Sequence, residues 1–276
     1  MMVMLAAMSP HVSVGADTLV KIGPLGFTNS MLYGLLGSGL CWWILLYAKK
    51  RVQERRYSRL ALAVLWAYEY LLDTMIEVLG DRKLALKLSP FAITMFFFIV
   101  VNNWIEILPV LGPITWHGVP LFRGLAADLN FTFALAVVTF VTAQVWAIQH
   151  LGFFGNLGRY FRNPFKDVLG AFEGFLELIA EFSRFIALSM RLFGNIFGGE
   201  VLLAVMGFIT SYATPITLPP FMLFELFIGL VQAYIFFMLT TVFVSLGLGG
   251  HAPASESDAF RDEDGLVTGT KPAEAH

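Results

Sequence analysis

Arg191 lies inside a long apolar stretch, Val168 to Thr210, that also holds Glu173, Glu177, Glu181, Arg184, Asn195 and Glu200. A second apolar stretch, Phe221 to Leu248, holds Glu225 and Gln232. An arginine in mid-membrane costs between about 2.5 and more than 10 kcal/mol. Its guanidinium stays protonated at any ordinary pH, so it survives only where it faces protein or water. A carboxylate can neutralise itself by taking up a proton, and Glu200 and Glu225 are placed to do so. A permanent cation beside exchangeable carboxylates is the chemistry of a proton path, not of a lipid-facing wall.

Helical spacing of about 100° per residue gathers Glu173, Glu177, Glu181, Arg184, Leu188, Arg191, Asn195 and Gly199 into one stripe, with Glu200 far around on another face. Glu225, Gly229, Gln232 and Phe236 form a second stripe. Plainer roles compete with the proton path. Arg184 and Arg191 could pair with Glu177 and Glu181 to join helices, the three early glutamates could form a solvated helix end, and Gln232 could bond between helices.

The elements that position these groups are membrane spans. Apolar residues make up 57% of the 276-residue chain and charged residues 14%, against roughly 25% charged in soluble domains. Five segments suit a hydrocarbon core that needs about 20 helical residues: Asn29 to Tyr47, Phe91 to Leu108, Leu129 to Leu151, Val168 to Thr210 and Phe221 to Leu248. Arg59 to Leu79 carries Glu69, Asp73 and Glu77 and reads as an amphipathic helix or hairpin at the inner surface. The expected fold is an all-α integral membrane protein: five membrane-embedded helices plus this amphipathic helix, the last two spans long and steeply tilted. Residues 1–28 read as an outer tail, 29–248 as one membrane domain and 249–276 as a disordered tail.

Positive charge sets the orientation. Lys49, Lys50, Arg51, Arg55, Arg56 and Arg59 follow the first span, Arg82, Lys83 and Lys87 precede the second, and Arg159, Arg162 and Lys166 separate the third from the fourth. With alternating spans all twelve fall on one side, which places the N-terminus outside and the C-terminus in the cytoplasm. Val168 to Thr210 would be roughly 64 Å long as one helix, about twice the hydrocarbon thickness. It must be steeply inclined or break near Gly194, Gly198 and Gly199.

Other chemistries lack their residues. The five histidines offer no pair within the spans for haem, the single Cys41 cannot form a metal cluster, and no phosphate-cradling Gly-Lys motif is present. A net charge of −2 gives no basic field for nucleic acid. No cofactor is expected.

The run Ser189-Met190-Arg191-Leu192-Phe193-Gly194-Asn195-Ile196-Phe197-Gly198-Gly199-Glu200 closely resembles the signature of F-type ATP synthase subunit a, which reads roughly SLxxRLFGNxxxGE. Glu225 with Gln232 resembles the family's last helix, and Asp128-Leu129-Asn130 its aspartate-x-asparagine at the third crossing. Thr28-Asn29-Ser30-Met31-Leu32 and Asn102-Asn103-Trp104 add support, so the likeness runs from Thr28 to Leu248.

The resemblance implies roles. Arg191 would be the stator arginine facing the rotor ring, with Asn195 and Gln232 as its polar neighbours. Glu200 and Glu225 would line the outer aqueous half-channel, Asp128 its entrance, and Glu177 and Glu181 the inner one. It further implies a non-catalytic, proton-translocating subunit partnered by the rotor c-ring, the peripheral-stalk b subunits and other ATP synthase subunits, in a bacterial inner membrane rather than an organellar one. Where many members carry Arg-Pro before the signature, Arg184 here precedes Phe185.

Overall fold

A computed structural model describes residues 18–22, 25–55, 58–107, 115–116, 119–120, 123–160, 168–210 and 213–247. The expected outer tail up to residue 17 and the expected disordered tail from residue 249 lie outside the described residues. Among the described residues seven α-helices carry the fold: α1 (Asn29–Gln53), α2 (Arg59–Leu79), α3 (Arg82–Glu106), α4 (Leu129–Leu151), α5 (Phe153–Tyr160), α6 (Val168–Thr210) and α7 (Thr214–Gly247). Two antiparallel strand pairs accompany them among the same residues, β1 (Thr18–Ile22) with β2 (Leu25–Thr28) and β3 (Thr115–Trp116) with β4 (Val119–Pro120).

Among the described residues five helices are long and apolar enough to cross a membrane: α1, α3, α4, most of α6 (Phe172–Thr210) and α7. Their ends follow from local chemistry. Thr28 caps α1 by accepting from the Met31 amide at 3.3 Å, Asp81 caps α3 through the Lys83 amide at 2.7 Å, and Asp128 caps α4 through the Asn130 amide at 3.0 Å. Gly80, at φ 69°, ends α2 in the left-handed conformation that glycine adopts without strain. Both α1 and α3 run beyond the apolar cores read from sequence, because their helical hydrogen bonding continues into Lys49–Gln53 and Arg82–Ser89.

Proline shapes two helices. Pro90 has no amide hydrogen for the Leu86 carbonyl one turn back, and the Ser89 hydroxyl donates to that oxygen instead at 3.1 Å. In α7, Pro219 and Pro220 lie within the helix, so α7 begins at Thr214 rather than at Phe221. The carbonyls that lose donors there are close to the helix start, where prolines are better tolerated than in mid-span.

The core forms where α3 and α7 pack together, with α4 and α6 on one flank and α1 and α2 on the other. Phe96 meets Phe237 edge to face at 6.5 Å, and Leu188, Leu192 and Ile196 of α6 join the same cluster. Small residues permit the close crossings. A Cβ at Gly37 would collide with the Asn102 side chain, and one at Gly247 would come within 3.3 Å of Ala147. On α2, Leu71, Met75 and Leu79 are buried while Glu69, Asp73 and Glu77 are exposed, the two faces of an amphipathic helix.

The long α6 does not break at its glycines: all 43 residues from Val168 to Thr210 are one helix. It is also the span least covered by the rest of the chain, with 11% of its most apolar window buried against 44% for α3 and α7.

Candidate functional site: two polar regions along α6

The first region gathers carboxylates from three helices around an arginine. Glu200 of α6 lies 3.9 Å from the Arg123 guanidinium, whose other nitrogen donates to the Ala127 carbonyl at 3.4 Å. Arg123 is 6% exposed, a depth a cation occupies only with anionic or carbonyl partners. Glu106, the last residue of α3, feels the charges of Glu200, Glu225 and Arg123 together. Its carboxylate lies directly against Gly124, where any Cβ would collide with it. Glu225 of α7 lies against Gly199 of α6 in the same way. Two glycines thus make room for two carboxylates.

Of the residues expected from sequence, Glu200 and Glu225 come together here. Glu106 and Arg123 complete the group, and spacing did not single them out. Arg123 reaches it through the return of the chain from α3 to α4, a tertiary event with no local periodic signal. Glu106 carried a readable sign, an acidic residue ending an apolar span one turn after Asn102 and Asn103.

Asp128 caps α4 and accepts from the Ser30 hydroxyl at 3.0 Å, which ties α1 to α4. Gln232 is buried on α7, and its Nε2 has no hydrogen-bond partner among the described residues; the same holds for Oε2 of Glu225. Buried polar atoms are normally satisfied, so these two, with Oδ1 of Asn102 on α3, mark places inside the fold where a polar partner could still be taken.

The second region lies toward the start of α6. Gln144 of α4 donates to the Glu181 carboxylate at 2.7 Å and to the Tyr160 hydroxyl at 3.2 Å, while its carbonyl accepts from Asn156 at 3.0 Å. Beside it a cavity of about 20 Å³ lined by Gln144, Glu181, Arg184 and Leu188 has room for about one water molecule. Arg184 stands 6.0 Å from the Phe243 ring centre in a cation–π contact. Glu177 lies one turn before Glu181 and is half-buried.

Arg191 belongs to neither region. It is exposed, and among the described residues it makes no ion pair, so the expected alternative of pairing with Glu177 or Glu181 is not realised. Arg184 likewise makes no ion pair among those residues. Arg191 and Glu200 are nine positions apart on an unbroken helix, which turns them about half a revolution from each other and separates them by about 13 Å along the axis. Asn195 lies one turn after Arg191 and is half-buried. Among the described residues no group of three or more His, Cys, Asp and Glu side chains could hold a metal ion.

Comparison with known proteins gives a consistent answer. Residues 31–245 match the family described as ATP synthase A chain. The chain is 35% identical over 174 residues to ATP synthase subunit a of Mycobacterium ulcerans (strain Agy99), an alignment covering 62% of this chain and 66% of that protein. It is 28% identical over 269 residues to ATP synthase subunit a of Acidothermus cellulolyticus, covering 92% of both chains. Against the subunit a of Aliivibrio salmonicida (strain LFI1238) it is 26% identical over 225 residues, covering 79% of this chain and 83% of that one.

Proposed function

Given that the chain belongs to the ATP synthase A chain family, a multi-pass membrane component of the ATP synthase complex, we propose that it carries protons between two offset half-channels and the carboxylates of a rotor ring. The observation that supports this reading best is the placement of Arg191 and Glu200 on opposite faces of the unbroken α6. Glu200, though its side chain is 44% exposed, reaches the buried Arg123 and feels the neighbouring carboxylates. Arg191 turns to a face that this chain leaves open.

A proton enters from outside past Asp128 and passes among Glu106, Glu200 and Glu225 to neutralise a rotor carboxylate supplied by another subunit. The neutral site can then face lipid as the ring turns. It meets the inner path at Glu177, Glu181 and Gln144 and releases the proton there. Arg191, with Asn195 and Gln232 nearby on α6 and α7, favours the ionised form of each rotor site that passes and blocks direct leakage between the two paths. The membrane potential supplies about 2.3 kcal/mol per charge per 100 mV, and a leak would dissipate it without rotation.

In this reading the subunit performs no ATP chemistry itself. It works in a bacterial inner membrane with its N-terminus outside and its C-terminus in the cytoplasm, beside the c-ring and the peripheral-stalk b subunits. The basic residues Lys49 to Arg59 support that orientation.

The test is ATP-driven acidification of inverted membrane vesicles carrying Arg191→Ala, after assembly of the complex has been confirmed. Pumping is expected to fall to background. Undiminished pumping in the assembled variant would return the buried charges to a purely architectural role.

A further inference from the structure

Away from both polar regions, α1, α2 and α3 enclose a cavity of about 480 Å³, within the range of about 300–1,000 Å³ typical of small-molecule sites. Its deep wall is apolar, formed by Val64 and Leu65 of α2 and by Ile93 and Phe97 of α3. Its rim carries Lys49 and Gln53, both exposed, at the basic end of α1. Pro90, with Ser89 replacing the missing amide donor, lies on the cavity wall. We propose that this cavity holds one acyl chain of an anionic phospholipid, with the phosphate of its headgroup against Lys49.

Three observations favour that occupant. The first is depth: from Ser89 to Phe97 the wall runs about 12 Å along α3, and α1 and α3 are both long and apolar enough to cross a membrane, which sets the cavity between two spans. The second is size. A helix with side chains is about 10 Å across and fills roughly 900 Å³ over such a length, about twice the space present, whereas an acyl chain is slender enough to enter. The third is charge. Lys50 is engaged with Glu54 at 4.0 Å, and Arg51 lies over the Tyr47 ring at 5.2 Å. Lys49 makes no ion pair among the described residues, and its long stem can follow the apolar wall while its ammonium meets the headgroup. The inference stands on α1 and α3 crossing the membrane and does not depend on the proton path.

The experiment uses the whole ATP synthase complex in mild detergent, exposed to phosphatidylglycerol with a photoreactive diazirine near the end of one acyl chain. After irradiation, adducts are expected on α2 and α3 at the cavity wall, Leu65 and Phe97 among them. Lys49→Gln should lower that labelling about fivefold, the worth of one lysine beside an anionic membrane surface. Thr94→Trp, which fills the cavity from an exposed position on its wall, should abolish it while pumping continues. The proposal is overturned if the phosphatidylcholine analogue labels equally well, if both variants label like the parent, or if labelling at the wall is no stronger than at the exposed Leu35 and Trp42. Crosslinking of these wall residues to another subunit would overturn it too.

Discussion

The two polar regions along α6 are built from different materials. Toward its end, Glu106 and Glu200 share the field of a buried cation, Arg123, and Glu225 joins them through the charge of Glu200. Toward its start, one carboxylate, Glu181, is held by the neutral amide of Gln144, which is steadied in turn by Tyr160 and Asn156. A cluster of like charges around one cation offers a proton several places to reside, and its balance is sensitive to each member. A carboxylate held by an amide network offers one such place, and the amide fixes geometry more than charge. Losing a member should therefore be felt far more in the first region than in the second.

Removing the cation is the most severe test of that contrast. Arg123→Gln should slow ATP-driven acidification about tenfold in assembled complexes, equivalent to one charge-assisted contact of about 1.5 kcal/mol. If Arg123→Gln combined with Glu200→Gln pumps like the parent, the pair serves packing alone and the cluster loses its distinction. In the second region Gln144→Leu keeps the bulk but removes the donor to Glu181, and the rate should fall only about threefold, the scale of a single hydrogen bond worth about 0.7 kcal/mol. A loss equal to that of Arg123→Gln would erase the difference between the regions.

The smallest effect on transport belongs to Asp128, whose carboxylate is engaged in capping α4 and clasping Ser30. Asp128→Ala should cost about 1 kcal/mol of stability, visible as earlier thermal disassembly of the purified complex, with the pumping rate per assembled complex nearly unchanged. A tenfold fall in rate at normal stability would move Asp128 from the scaffold into the cluster.

Much of this architecture was open to a reader of the sequence, because lipid imposes long apolar helices whose limits are marked by charge. The bounds of α2, α4 and α6 were legible, but whether α2 was a helix or a hairpin and whether α6 broke at its glycines stayed open until the structure showed each as one helix. The start of α7 was not, since Pro219 and Pro220 look like a break to anyone who weighs proline without its position in the helix. Nor was α5, a short helix hidden among the basic residues between two spans. Within the site, Glu200 and Glu225 announced themselves by standing in apolar surroundings. Arg123 and Gln144 did not, because their importance comes from which helix lies opposite. The exposure of Arg191 was legible only in part: an unavoidable charge must face protein or water, but periodicity alone does not say that this chain leaves that face uncovered.

The continuity of α6 has a mechanical consequence. A column of hydrogen-bonded turns with no joint resists bending, and kinks arise chiefly where proline, a bulge or an inserted group interrupts the ladder. From Val168 to Thr210 no proline intervenes and the helix is unbroken. A sideways load applied at Arg191 is therefore shared along a stiff beam, clamped where Leu188, Leu192 and Ile196 enter the core. A stationary part must not give way when something turns against it.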